Sequence, residues 1–213
     1  MNTIAIIDYG MGNLHSIAKA VEHVVTDSRV LVSSDAAEIL DAERVIFPGV
    51  GGIGYCMQAL VGAGLDQVVS QAAESRPLLG ICVGLQALLD SSEENDNTSC
   101  LGIVPGQVRR FPKNLTDEQG EKLKVPHMGW NPVNQSPHPL WQGIEQNSRF
   151  YFVHSYYARP DDEAVVAGYT DYGLHFASAL ARENLFAVQF HPEKSQHAGL
   201  ALLKNFAHWN GVV

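Results

Sequence analysis

The sequence predicts an α/β fold: a mostly parallel sheet wound by helices on both faces, with antiparallel strands added by the second half of the chain. Three observations carry that prediction. Short apolar or β-branched runs alternate with segments of helical spacing from residue 3 to residue 89. Glycine-rich turns stand at the ends of those runs, at 9–13, 48–54 and 80–84. Beyond Asp90 the alternation gives way to short strands separated by Pro and Gly, until a closing helix.

Residues 3–8 form the first strand, Tyr9-Gly10-Met11-Gly12-Asn13 a turn, and 14–21 a helix. Val30-Leu31-Val32 is the second strand. Asp35-Ala36-Ala37-Glu38 has the pattern of a capping box that opens a brief helix. The third strand, 44–47, runs into the loop Pro48-Gly49-Val50-Gly51-Gly52-Ile53-Gly54. Residues 60–73 have helical character, and 77–81 are the fourth strand. This alternation implies parallel pairing, and ligands of such sheets sit beyond the carboxyl ends of the strands.

Residues 91–99 are polar and acidic, a loop over the site or a solvated turn. Further strands are expected at 107–110, 149–153, 164–168, 176–180 and 185–190, and 113–124 reads as a flexible excursion. Residues 195–209 make an amphipathic helix with Leu202, Leu203 and Phe206 on its apolar face. With no repeat, low-complexity tract or linker, residues 1–213 are expected to form a single domain.

Composition narrows the function classes. The chain has 213 residues, of which 46% are hydrophobic and 17% charged, which is ample for a core. A net charge of −9 and the lack of any Lys/Arg run argue against nucleic acid. No run has the length of a membrane span, and residues 1–8 lack the basic start of a signal peptide. Cys56, Cys82 and Cys100 are too few and too widely spaced for a disulfide framework or a zinc site, so a reducing cytoplasm is expected.

The chemistry is concentrated in two stretches. In Leu78-Leu79-Gly80-Ile81-Cys82-Val83-Gly84 a buried strand turns sharply into a helix, with a cysteine at the apex between two glycines. Such a turn lifts the thiol out of the sheet edge to a helix N-terminus, whose free N–H groups favour an anionic sulfur. The same residues also suit an inert core cysteine. The second stretch, Gln189-Phe190-His191-Pro192-Glu193, follows an apolar strand and offers a base with a carboxylate beside it to orient it. The 48–54 loop is either a plain turn or an anion loop, and it lacks the Lys-Ser/Thr of a P-loop.

Gly80-Ile81-Cys82-Val83-Gly84 together with Gln189-Phe190-His191-Pro192-Glu193 resembles the class I, triad-type glutamine amidotransferases. Asp8-Tyr9-Gly10-Met11-Gly12-Asn13, Pro48-Gly49-Val50-Gly51, Pro126-His127-Met128-Gly129-Trp130-Asn131 and Tyr151-Phe152-Val153-His154-Ser155-Tyr156 narrow the resemblance to the family of glutaminase subunits of imidazole glycerol phosphate synthase. These motifs span nearly the whole chain.

The resemblance implies a flavodoxin-like three-layer sandwich, and hydrolysis of glutamine to glutamate and ammonia without cofactor or metal. It implies Cys82, His191 and Glu193 as catalytic residues, with Val50, Gly51 and Val83 around the oxyanion. Gly49, Gln86, Glu94, His154, Ser155 and Tyr156 would hold glutamine. Asn13, Met128, Trp130, Tyr151 and Lys194 would face a partner, a (β/α)8-barrel cyclase that takes up the ammonia. Three other readings have a counter-signal. A glutaminase subunit of pyridoxal phosphate synthase lacks the 126–131 segment. A cysteine peptidase or stress protein on this core keeps a His where Val83 stands. A silent scaffold subunit would need a broken triad.

Overall fold

A computed structural model describes residues 2–212. The first half alternates as expected: β1 (Asn2–Ile7), α1 (Leu14–Val24), β2 (Ser28–Ser33), α2 (Ala36–Asp41), β3 (Arg44–Gly49), α3 (Ile53–Gly62), α4 (Asp66–Ser75), β4 (Leu78–Cys82) and α5 (Val83–Ala87). The second half adds the short β5 (Ser91–Ser92) and β6 (Thr98–Ser99), then β7 (Gly106–Arg110), β8 (His127–Pro132) and β9 (Asn134–Gln135). It continues through β10 (Arg149–His154), β11 (Tyr156–Pro160), β12 (Val166–Asp171), β13 (His175–Arg182) and β14 (Leu185–Val188) to α6 (Gln196–His208).

The main sheet runs β2-β1-β3-β4-β14-β13-β11-β7-β5-β6, with β12 and β9 branching from β13. From β2 to β14 all neighbours are parallel, and β13, β11 and β7 then continue antiparallel. Strands β8 and β10 form a separate antiparallel pair. The chain moves outward from β1 to β2 and then reverses across β1 to β3. With right-handed crossovers, that reversal puts α1 on the face opposite α2, α3 and α4. Contacts follow: α1 packs on α6, and α4 packs on α2 and α3. Every residue of β4 and β14 is buried, as a strand covered on both faces requires.

Several elements differ from the reading of the sequence. The helical stretch 60–73 is two helices, broken where Gly64 adopts φ +67°. There the N–H groups of Ala63, Gly64 and Leu65 bond back to the carbonyls of Ala59, Val61 and Leu60, and Leu65 is buried. The capping box at Asp35 is only half formed. The Asp35 carboxylate accepts from the Ala37 and Glu38 N–H groups at 2.8 and 3.0 Å. Glu38 instead accepts from the Ser33 hydroxyl at 2.6 Å, and the Asp35 N–H donates to that same hydroxyl oxygen at 3.0 Å. The excursion at 113–124 is pinned at its middle, where Leu115 is buried and Thr116 bridges Lys122.

Candidate active site

The sheet order itself assembles the site. Strand β4 lies between β3 and β14, all three parallel, with Gly49 in register with Cys82 and Val188 with Ile81. The loop after β3, the cysteine closing β4 and the histidine after β14 therefore emerge side by side at one sheet edge. The reversal of strand order between β1 and β3 opens a crevice there, which brings in Asn13 from the turn after β1.

Cys82 sits at φ 56° and ψ −110°, the strained conformation of a strand-to-helix elbow. Its glycine neighbours are there because neighbouring chain comes close. A Cβ on Gly84 would lie 2.1 Å from the Phe47 carbonyl oxygen, and one on Gly49 would lie 2.9 Å from the Gly84 nitrogen. Helix α5 is only one turn long, shorter than the apolar pattern after Cys82 suggests.

His191 Nδ1 is bonded to Glu193 Oε1 at 2.9 Å, and both side chains are shielded from solvent. The 3-10 turn Pro192–Lys194 places the carboxylate two residues after the ring it orients. Ser195 fixes the turn, its hydroxyl donating to the His191 carbonyl at 2.6 Å and accepting the Tyr151 N–H at 3.0 Å. Burial works against a charge on His191. The Cys82 and Glu193 side chains beside the ring outweigh it and push the imidazole up to about 10. Cys56 and Cys100 are different: burial raises both thiols, that of Cys100 to about 12 with help from Asp90.

Cys82 and His191 line one cleft of about 650 Å³. Val50, Gly51 and Val83 line it too, next to the sulfur-bearing elbow. The backbone of the 48–51 loop is held from behind, since the Tyr9 hydroxyl donates to the Pro48 carbonyl at 2.8 Å and the Cys56 thiol to the Val50 carbonyl at 3.3 Å. Gly49 is not among the residues lining the cleft and instead packs against the elbow at Val83 and Gly84. Gln86, Glu94, His154, Ser155 and Tyr156 form the remaining walls.

Glu94 accepts the Ile53 N–H at 3.0 Å through Oε2, so it also caps α3. Its neighbour Glu93 turns away and pairs with Arg109 at 2.8 Å. Both ring nitrogens of His154 are engaged, with the Tyr156 carbonyl at 2.7 Å and His127 at 3.0 Å. Any contact of His154 with a ligand therefore falls to its ring carbons or main chain.

Of the residues expected to face a partner, Asn13 and Lys194 stand at the cleft and the others lie on the β8–β10 pair beside it. Tyr151 and Trp130 are cross-strand neighbours with rings 6.1 Å apart, and the Lys194 ammonium lies 5.9 Å from the Tyr151 ring centre. Met128 is 61% and Trp130 40% exposed. Sequence reasoning missed Tyr9, Cys56, Ser195 and Gln189. The Gln189 amide lies 3.8 Å from Cys82 Sγ, and its place in the 189–193 motif is the one signal that could have found it.

Comparison with known proteins places this arrangement. The model of the family "Glutamine amidotransferase class-I" matches residues 5–209. The imidazole glycerol phosphate synthase subunit HisH 1 of Pseudomonas aeruginosa is 59% identical over 212 residues, covering 99% of each chain. The HisH subunit of Methylococcus capsulatus is 58% identical, covering 98% of this chain and 97% of its own. That of Nitrosococcus oceani is 58% identical over the whole of both chains. Among solved structures, a glutamine amidotransferase superposes with a TM-score of 0.71 at 16% identity, covering 97% of this chain and 99% of the other. PurLQS from Thermotoga maritima does so with 0.69 at 17% identity, over 96% and 97%. At such identities these two share the fold.

Proposed function

Because the chain belongs to the class-I glutamine amidotransferases, we propose that it is the glutaminase subunit of an imidazole glycerol phosphate synthase, working as one domain over residues 1–213. Cys82 attacks the side-chain amide carbon of glutamine and forms a γ-glutamyl thioester. His191 carries the thiol proton to the departing ammonia, and Glu193 holds the ring. Water then cleaves the thioester to glutamate. The negative charge that develops on the amide oxygen is met by backbone N–H groups of Val83 and the Val50–Gly51 loop. Gly49, Gln86, Glu94, His154, Ser155 and Tyr156 shape the glutamine pocket, with Glu94 as counter-charge to the α-ammonium.

Ammonia released into water at neutral pH is protonated and no longer a nucleophile, so it must pass directly to an acceptor. Asn13, Met128, Trp130, Tyr151 and Lys194 supply the docking face for a (β/α)8 cyclase. That partner uses the ammonia to make imidazole glycerol phosphate and an aminoimidazole-carboxamide ribonucleotide. The observation that most supports this reading is the Cys82 elbow sharing a cleft with His191, whose ring is bonded to Glu193 at 2.9 Å.

The test pairs the purified chain with a cyclase subunit. Cys82→Ala is expected to abolish glutamine-dependent synthesis and leave ammonia-dependent synthesis intact. Equal loss of both, or glutamine turnover surviving the substitution, would refute the assignment.

A further inference from the structure

Several polar groups, most of them buried, that the catalytic proposal leaves without a mutual role lie in one line, and the chemistry fixes the direction of each bond. The Tyr156 carbonyl can only accept, so His154 Nδ1, 2.7 Å away, carries the ring proton. His154 Nε2 is then an acceptor, and His127 Nδ1, at 3.0 Å, must donate to it. That leaves His127 Nε2 bare, and the Asn131 amide nitrogen donates to it at 3.3 Å and to the Asp171 carbonyl at 2.9 Å. From the other side, the Gln86 amide nitrogen donates to the same Tyr156 carbonyl at 3.2 Å and to Gln189 Oε1 at 3.0 Å. The Gln189 amide nitrogen ends the line at Cys82 Sγ, 3.8 Å away.

We propose that Asn131, His127, His154, Gln86 and Gln189 form a hydrogen-bond relay that meets at the Tyr156 carbonyl, with the direction of each bond fixed, which positions the Cys82 sulfur and ties it to the exposed strand carrying Met128 and Trp130. His127, His154 and Gln189 act as positioning residues. The two histidines are direct cross-strand partners in the β8–β10 register, so the bond between them is built into the sheet. The His127 ring is locked between Tyr172, with centroids 3.9 Å apart, and Phe152, at 4.8 Å. Burial keeps both rings neutral by lowering them to about 4 and about 3, and neutrality is a requirement here. An imidazolium has two donors and no acceptor and would break the line. A shift of the 127–131 segment therefore moves the Tyr156 carbonyl, and with it Gln86 and the Gln189 amide that reaches the sulfur.

The consequence for catalysis rests on the glutaminase reading, but the test does not use glutamine turnover, so either can fail alone. Nitrogen NMR of the histidine-labelled full chain at pH 7 is expected to show His127 and His154 both protonated on Nδ1 and bare on Nε2. Alkylation of Cys82 by iodoacetamide, followed on its peptide by mass, is expected to slow roughly three- to tenfold in Gln189→Leu, the size of one lost hydrogen bond. The slowing in Asn131→Leu should be smaller but resolvable. An Nε2-protonated or charged ring in the unaltered chain overturns the relay, and so does an unchanged alkylation rate in either variant. If Gln189→Leu does not fold, Gln189→Met takes its place, and the ring tautomers decide independently.

Discussion

His191 and the pair His127–His154 are imidazoles enclosed to nearly the same degree, at 2%, 3% and 6% exposure, and they carry opposite protonation. Burial opposes a charge on His191, but Cys82 beside the ring and the Glu193 carboxylate 2.9 Å from its Nδ1 push it up to about 10. His127 and His154 share a nitrogen with each other and end on a carbonyl and an amide; burial pushes them down to about 4 and about 3. Depth of burial is thus not what decides the charge. Charge-bearing partners beside the ring decide it, and each state suits the role proposed for it. His191 has a proton to give, and the pair keeps a fixed donor–acceptor direction.

The strongest way to break this contrast is Glu193→Gln. It turns His191 into an imidazole without a carboxylate, and glutaminase kcat is expected to fall on the order of 10²- to 10⁴-fold, as when a catalytic imidazole loses the carboxylate that holds it. Nitrogen NMR at pH 8 should then find the ring neutral. A charged ring and an undiminished kcat would mean that Cys82 alone sustains the proton.

A second test reads the contrast in stability. The rings of His127, His138 and His154 are lowered by burial, so the unfolded chain takes up their protons first as pH falls below 6.5. Their stability contribution is complete above pH 6.5 and is lost as pH falls toward 4, and toward 3 for His154, with a limit on the order of 3 kcal/mol per ring. His191 has the opposite sign: its contribution is complete below pH 6.5 and is lost as pH rises toward 10. Urea midpoints against pH should therefore peak near 6.5. His127→Phe should flatten only the acid limb and Glu193→Gln only the alkaline limb. Both limbs unchanged in the variants would refute the charge states.

The mildest intervention sharpens the comparison from the other side. Asn131→Asp gives His127 a carboxylate at the end of its relay, and the His127 titration followed by NMR should rise by about one to three pH units from its starting value near 4. No rise would mean that burial overrides the partner after all. Smaller still, Asp35→Ala removes a helix cap far from either site and is expected to cost about 1 kcal/mol in urea unfolding, with glutaminase activity unaltered.

Local chemistry is readable from the chain. The glycines around Cys82, the apolar runs of β1 to β4 and the Asp35 cap are written in neighbouring residues, because they depend on one turn or one strand. The strands β8 and β11 are not legible there, since His127-Met128-Gly129-Trp130-Asn131 and Tyr156-Tyr157-Ala158-Arg159 show neither clean alternation nor a continuous apolar run. The split at Gly64 escapes a reading by helical spacing, which registers neither the positive φ of that glycine nor Leu65 turning into the core.

By itself, then, the sequence determined the α/β alternation, the elbow cysteine, the histidine with its adjoining carboxylate and the resemblance that joins them, all of which are patterns of residues close along the chain. Only the tertiary structure decided that β4 lies between β3 and β14, that Gln189 reaches the Cys82 sulfur, and that His127 faces His154 across two strands. The protonation of each buried ring belongs to the second group. It depends on which groups packing brings within about 3 Å in a region shielded from water, and distances of that kind are set by sheet order and register between segments far apart in the chain.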